Sequence, residues 1–279
     1  MLTSLDIITP TYKSKLKKLF SKLMFDTMRV DIVEAGDIKL KMIEYINRSG
    51  KVNWNKIDKE VLAQRNRILC NKNLWLPKNH GYKRFCDYEL KKRLCTNLAI
   101  SLLCQLEENR LSVGLLDLDA SYTSLPKYLL KYTDSVVVVT EETDIYTHVV
   151  EELLDETGAP IRLSKSIRSL EGCDLVIAVN GIVDELILKE NAVLLTTKKP
   201  EKNYDATVVY DYRIELSEEL ESICPKSLSH TYFACALYTM CHMYKLGSQI
   251  PLICVSHNMV HTPSSLKVLI QNKTDKTLT

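Results

Sequence analysis

The chain has 279 residues, of which 46% are hydrophobic and 26% charged, and its formal net charge is +2. That composition excludes a wholly disordered chain and leaves room for two modest domains or one large one. So small a charge does not favour nucleic acid or an anionic membrane as the main partner, and no apolar run reaches the roughly 20 residues that cross a bilayer.

The opening "MLTSLDIITPTYKSKLKKLF" has no basic start followed by an apolar block, so a cytoplasmic location is expected. The nine cysteines form no C-x-x-C pair, and several sit in apolar runs, as free thiols do in a reducing compartment. Residues 12–25 set Leu16, Leu19, Phe20, Leu23 and Met24 at helical spacing among five lysines, which predicts an amphipathic helix on the body of its own domain. Residues 28–34 alternate like a strand ended by Gly36. Residues 37–50 read as a helix with Asp37 as its cap and Gly50 just past its end. Asn55 is placed as the cap of a further helix to about Asn66, followed by a short strand over 67–70 and a loop-rich stretch over 71–86.

A long helix is expected from near Asp87. Leu90, Leu94, Leu98, Leu102 and Leu106 recur every fourth residue, and Cys95, Ala99 and Leu103 repeat the pattern one position later. Each such leucine contributes about 1.5–3 kcal/mol when fully buried, so this helix anchors the fold. The expected division is an N-terminal α/β domain carrying this linking helix over 1–107 and a second domain over 108–279.

From about 110 the pattern alternates. Strands are expected over 111–116, 135–139, 161–163, 174–179, 192–197 and 206–212. Helices are expected near 124–132, over 144–157 to Gly158, and near 165–171 and 182–189. Strands so rich in Val, Ile and Leu are buried on both faces, and helical crossovers make them parallel. The chain should close with a buried helix over 227–247, a strand over 250–256 and the segment 257–272. The fold class is therefore α/β: a doubly wound, mostly parallel Rossmann-like sheet with a smaller N-terminal α/β domain.

The phrases "CDLVIAVNG" (173–181) and "DELILKENAVLLTT" (184–197), with this element order, resemble the NAD(P)-binding Rossmann domain. The flavour is that of shikimate dehydrogenase and glutamyl-tRNA reductase, over roughly 108–215. The resemblance implies a glycine-rich turn after the first strand. In "VGLLDLDASYTSLPKYL" (113–129) its three glycine positions fall on Asp117, Asp119 and Tyr122. Those glycines make the tight turn, admit the pyrophosphate and let helix and strand pack closely. A carboxylate about 5 Å from a phosphate charge at an effective dielectric of about 20 repels it by roughly 3 kcal/mol. The helix N-terminus returns about 0.3–1 kcal/mol, and up to about 2 kcal/mol. A conventionally placed dinucleotide should therefore bind poorly. Glu141, at the end of the second strand, stands where the family holds the adenine ribose, which favours NAD over NADP; otherwise it is a solvated charge before a helix. Asn180 and Gly181 follow the fourth strand at the ligand-binding edge, or simply make a short turn.

Asp117 and Asp119 could instead converge on a cation or an amine, but no third acidic residue follows at a recognised spacing, and helix capping is the plainer role. His257 and His261 stand four apart near Cys254, yet no glutamate lies between them and Pro263 argues for a loop, so no metal site is assigned. Cys235, Cys241 and His242 lie in an apolar helix and are read as packing. The leading expectation is a scaffold, regulatory or small-ligand-binding protein with no cofactor, its partner an unidentified small molecule or protein. The alternative is an NAD(P)-dependent oxidoreductase that binds NAD atypically, with substrate between the two halves. A third reading is a protein-interaction module using the basic first helix.

Overall fold

A computed structural model describes residues 2–12, 24–86, 89–106, 111–241, 250–257 and 259–274. The lysine-rich helix expected over 12–25, and with it the interaction-module reading, lies almost wholly outside the described residues, as does His242. In chain order the first elements are β1 (Leu2–Ile8), β2 (Thr27–Ala35), β3 (Ile38–Ile46), α1 (Trp54–Val61), α2 (Glu89–Gln105), β4 (Ser112–Leu116), α3 (Leu125–Leu129), β5 (Ser135–Val139), α4 (Thr143–Thr157) and β6 (Ile161–Ser164). They are followed by β7 (Leu175–Ala178), β8 (Val193–Thr196), β9 (Thr207–Val209), β10 (Asp211–Arg213), α5 (Glu218–Ser222), α6 (His230–Cys241), β11 (Ile253–Ser256), β12 (Met259–His261) and α7 (Pro263–Thr274).

The chain divides into one unit of Met1–Asp87 with Glu215–Cys241 and another of Tyr88–Ile214 with His242–Thr279. This differs from the division at 107/108. Helix α2 packs on β7, β8, β10, α3 and α7, all in the second unit, and a local apolar period does not name the sheet that will cover it.

In the first unit β3 is central, parallel to β1 and antiparallel to β2. The helix expected over 37–50 is therefore a strand. Gly36, at φ +53°, opens a two-residue hairpin turn that pairs Ala35 with Ile38. Leu40 and Ile43, spaced as on a helix, are buried together with Tyr45, the last two in one cluster with Ile57 and Val61 of α1, while β1 and β2 pair with both edges of β3; tertiary pairing overrides local preference. The cap of α1 is Asn53, whose Oδ1 accepts the Lys56 N–H at 3.2 Å, two residues before the expected Asn55. The strand expected over 67–70 is reduced to single bridges, Ser4 to Leu69 and Ile68 to Arg84. Asp58 ties the following loop down: it accepts the Tyr82 hydroxyl at 2.8 Å and lies 2.7 Å from His80 Nδ1. Burial pushes its carboxyl up, but His80, Tyr82 and Arg65 outweigh that and hold it below the usual range.

The second unit contains a sheet in the order β6-β5-β4-β7-β8-β9, all parallel. Numbered within the unit this is 3-2-1-4-5-6, the Rossmann order, with the reversal between β4 and β7. One face buries Leu116, Val137, Val139, Val176 and Leu194. Val113, Leu115, Val138 and Ile177, alternating with them along the strands, are buried as well. Gly114 lets the crossover lie directly on β4: a Cβ there would stand 2.6 Å from Leu170 Cδ2 and 3.1 Å from Cys173 Sγ. Because Leu170 and Cys173 are themselves fully buried, Gly114→Ala is expected to cost about 1–3 kcal/mol in urea unfolding. A neutral result would mean the crossover can move aside.

Helix α4 ends as expected at Gly158, in the left-handed region at φ +70°, whose N–H bonds Leu154 O at 2.8 Å. The helix expected over 165–171 is a single 3-10 turn, Ile167–Leu170. The helix expected over 182–189 does not form. Leu186 is buried against the sheet, and Lys202 Nζ donates to the carbonyls of Asp184 and Leu186, at 2.7 and 2.9 Å. The strand expected over 206–212 splits at Tyr210: β9 completes the parallel sheet, while β10 joins the antiparallel sheet β10-β11-β12. Among the described residues no helix is long and apolar enough to cross a membrane.

Candidate functional site

The turn after β4 faces the carboxyl edge of the parallel sheet, where ligands lie in this architecture. Asp117 does not project into that space. It is fully buried, and its N–H bonds Val139 O at 3.0 Å. Its Oδ1 accepts the Ser121 N–H at 3.0 Å, and its Oδ2 accepts the Tyr122 N–H at 2.8 Å and the Tyr146 hydroxyl at 2.6 Å. The carboxylate thus takes up two backbone donors that a glycine turn would turn toward a phosphate. Burial pushes its pKa up, partly opposed by the Tyr146 hydroxyl and the Tyr122 amide. The left-handed residue of the turn is Ala120, at φ +53°, rather than any of the three glycine positions.

Asp119 is exposed, and hydrogen bonding to Ser121 holds its carboxyl below the usual range. Asn180, two residues past β7, reaches across the strand-order reversal: its Nδ2 donates to Asp119 Oδ1 at 3.1 Å and Oδ2 at 3.3 Å. Tyr122 donates its hydroxyl to Asn180 Oδ1 at 3.4 Å. Asp119, Tyr122 and Asn180 therefore form one polar bridge over the crevice between β4 and β7. Gly181, at φ +120°, lies beneath the Lys198 side chain, whose Nζ is 3.2 Å from where a Cβ would stand. Glu141 is exposed two residues beyond β5, held by its N–H to Leu118 O at 3.2 Å.

Beside the turn, the first turns of α2 and residues 121–125 enclose a cleft of about 360 Å³. Glu89, Lys92 and Arg93 line it together with Ser121, Tyr122 and Ser124, and Lys92 Nζ pairs with Glu89 Oε1 at 3.0 Å. Sequence reasoning missed Lys92 and Arg93, and it missed Tyr146 as the partner of Asp117. All three look like ordinary helix residues, and only the packing of α2 and α4 beside the turn gives them a role. His257 and His261 are not brought together: His257 sits in a turn at φ +50°, while His261 lies on β12 opposite Cys254. Among the described residues no three His, Cys, Asp or Glu side chains are grouped to hold a metal ion.

No family model and no curated protein matches this chain. Solved structures do match, at low similarity. L-tryptophan dehydrogenase from Nostoc punctiforme is 11% identical, over 97% of this chain and 80% of its own, with a TM-score of 0.33. Thermococcus litoralis Δ1-pyrroline-2-carboxylate reductase, in complex with NADH and L-proline, is 15% identical over 51% of this chain and 44% of its own, with a TM-score of 0.29. An archaeal alanine dehydrogenase dimer with bound NAD is 12% identical over 67% of this chain and 65% of its own, with a TM-score of 0.29. The chain thus spans less than half the length of the reductase and under two thirds of the alanine dehydrogenase. Against the expectation of a domain that takes no cofactor, two of these matched structures hold a nicotinamide cofactor. The repulsion expected from the turn also changes: Asp117 points inward, so of the three positions only Asp119 and Tyr122 stand in the crevice.

Proposed function

We propose that the second unit binds a nicotinamide dinucleotide at the carboxyl edge of its parallel sheet, NAD in preference to NADP, as the cofactor domain of an oxidoreductase. The observation that carries this is the 3-2-1-4-5-6 strand order, with its crevice at the β4–β7 reversal. Glu141 supports the adenosine end, since an exposed carboxylate past the second strand accepts ribose hydroxyls and repels a 2′-phosphate. Asp117 holds the Ser121 and Tyr122 amides, so the diphosphate shifts outward to the cleft lined by Lys92 and Arg93, where it takes the place of Glu89 as the partner of Lys92. Bound there, the cofactor would supply hydride chemistry; the residues of this chain would hold its sugar and its phosphates.

The test is thermal unfolding of the full chain with millimolar NAD, NADH, NADP and NADPH. Binding at 100 times Kd stabilises by about 2.7 kcal/mol, a shift easily read. NAD and NADH should raise the midpoint more than the phosphorylated pair, and Lys92→Glu should remove most of the rise. No response to any of the four overturns the proposal. A response that survives Lys92→Glu unchanged removes the shifted-diphosphate geometry.

A further inference from the structure

The first unit holds a second cavity, of about 380 Å³, between residues 70–73 with Arg84 on one side and residues 227–232 on the other. The two sides are tied by Asn71 Nδ2 donating to Ser227 O at 3.1 Å. Its wall is uneven in charge. Lys72 and Arg84 line it, and no Asp or Glu does. Among the described residues neither cation has an ion-pair partner. Arg84 donates from Nη2 to Leu74 O at 2.6 Å, while its Nε is buried without an acceptor. A half-buried guanidinium with no counter-charge is costly unless something anionic comes to it. The N-terminus of α6 adds to the same sign. Ser229 caps it, accepting the Tyr232 N–H at 3.3 Å, and both residues line the cavity.

The rest of the wall is less polar. Leu228, the Tyr232 ring and the Cys70 side chain supply it, and the Tyr232 hydroxyl is already committed to Phe85 O at 2.8 Å. Cys70 is not positioned as a nucleophile. Burial pushes its thiol up more than Arg84 pulls it down, with the Asp6 carboxylate adding to the push, so it stays a thiol at neutral pH.

We propose that this cavity binds a small organic oxyanion, a carboxylate or phosphate ester whose apolar body is about the size of one ring, with Arg84 and Lys72 holding the charged end. The proposal does not depend on the dinucleotide reading, since every residue it uses lies in the first unit.

The experiment is thermal unfolding and calorimetric titration of the full chain with sodium benzoate, phenyl phosphate, inorganic phosphate and benzylamine, each against sodium chloride at matched ionic strength. Saturable stabilisation by benzoate or phenyl phosphate, and none by benzylamine, is expected. The stronger of the two identifies the headgroup, and a weaker effect of inorganic phosphate shows that the apolar body contributes. Lys72→Glu, at an exposed position, should weaken binding about five-fold or more by reversing one charge, and Arg84→Met should abolish it. Because Arg84 also braces Leu74, the Lys72→Glu result decides if Arg84→Met fails to fold. Stabilisation no greater than that by chloride, equal stabilisation by benzylamine, no response to either aromatic anion, or an affinity unchanged in Lys72→Glu overturns the proposal.

Discussion

Asp117→Ala is expected to lower the unfolding free energy by about 2–4 kcal/mol, since a buried donor left unpaired costs about 1–3 kcal/mol and each bond that water can partly replace about 0.5–1.5 kcal/mol. Three donors lose their acceptor at once: the Ser121 and Tyr122 amides and the Tyr146 hydroxyl. The Tyr146 hydroxyl is closed to water, because Asp117 and Tyr146 are both fully buried, whereas Ser121 is exposed and Tyr122 half-buried, so solvent can take over part of the amide bonds. Asp117→Asn keeps one acceptor oxygen but turns an NH2 group toward donors, and it should fall between wild type and alanine. Tyr146→Phe removes a single donor and should cost about 1–2 kcal/mol. Urea unfolding of the three variants gives the order. Should alanine at 117 cost no more than phenylalanine at 146, the carboxylate is not what holds the turn.

The second large effect concerns charge in the crevice. On the proposed binding mode Asp119→Asn is expected to tighten NADH about ten-fold or more, since one unit charge would be removed near the diphosphate in a partly hydrated site. Asparagine keeps a side-chain oxygen for Asn180 Nδ2, so the bridge across the β4–β7 reversal is preserved and the change reads out charge rather than collapse. Titration at low and high salt checks this, because a gain that comes from charge shrinks as salt screens it. An affinity unchanged at low salt would place the diphosphate away from Asp119 and argue against the geometry proposed for Lys92 and Arg93. Asp117 offers no such gain by simple neutralisation: its charge faces the turn amides, and removing it costs the turn itself.

The parallel sheet was legible from local pattern. Runs such as Val136–Val139 and Leu175–Ala178 are apolar at every position because both faces of the sheet are covered. The glycine at 158 marked the end of α4 for a reason confined to its own backbone, the positive φ of the cap. The β2–β3 hairpin was not legible: Leu40 and Ile43 satisfy a helix period as well as a strand, and only pairing with β1 and β2 decides between them. The segment 182–189 reads as a helix by composition, yet Lys202, distant in sequence, takes two of its carbonyls.

The candidate site divides along the same line. From sequence alone came the positions that depart from glycine, Asp117, Asp119 and Tyr122, and the polar residues Glu141 and Asn180 at strand ends, because chain order along a parallel sheet places strand ends together. The direction each side chain takes came only with the fold. Whether a carboxylate after β4 faces a ligand or its own backbone depends on Tyr146, brought in by α4, and on the amides of the turn. Burial and hydrogen-bond partners are properties of the assembled chain, so the reversal of Asp117 from an outward charge to an inward brace was settled by tertiary structure.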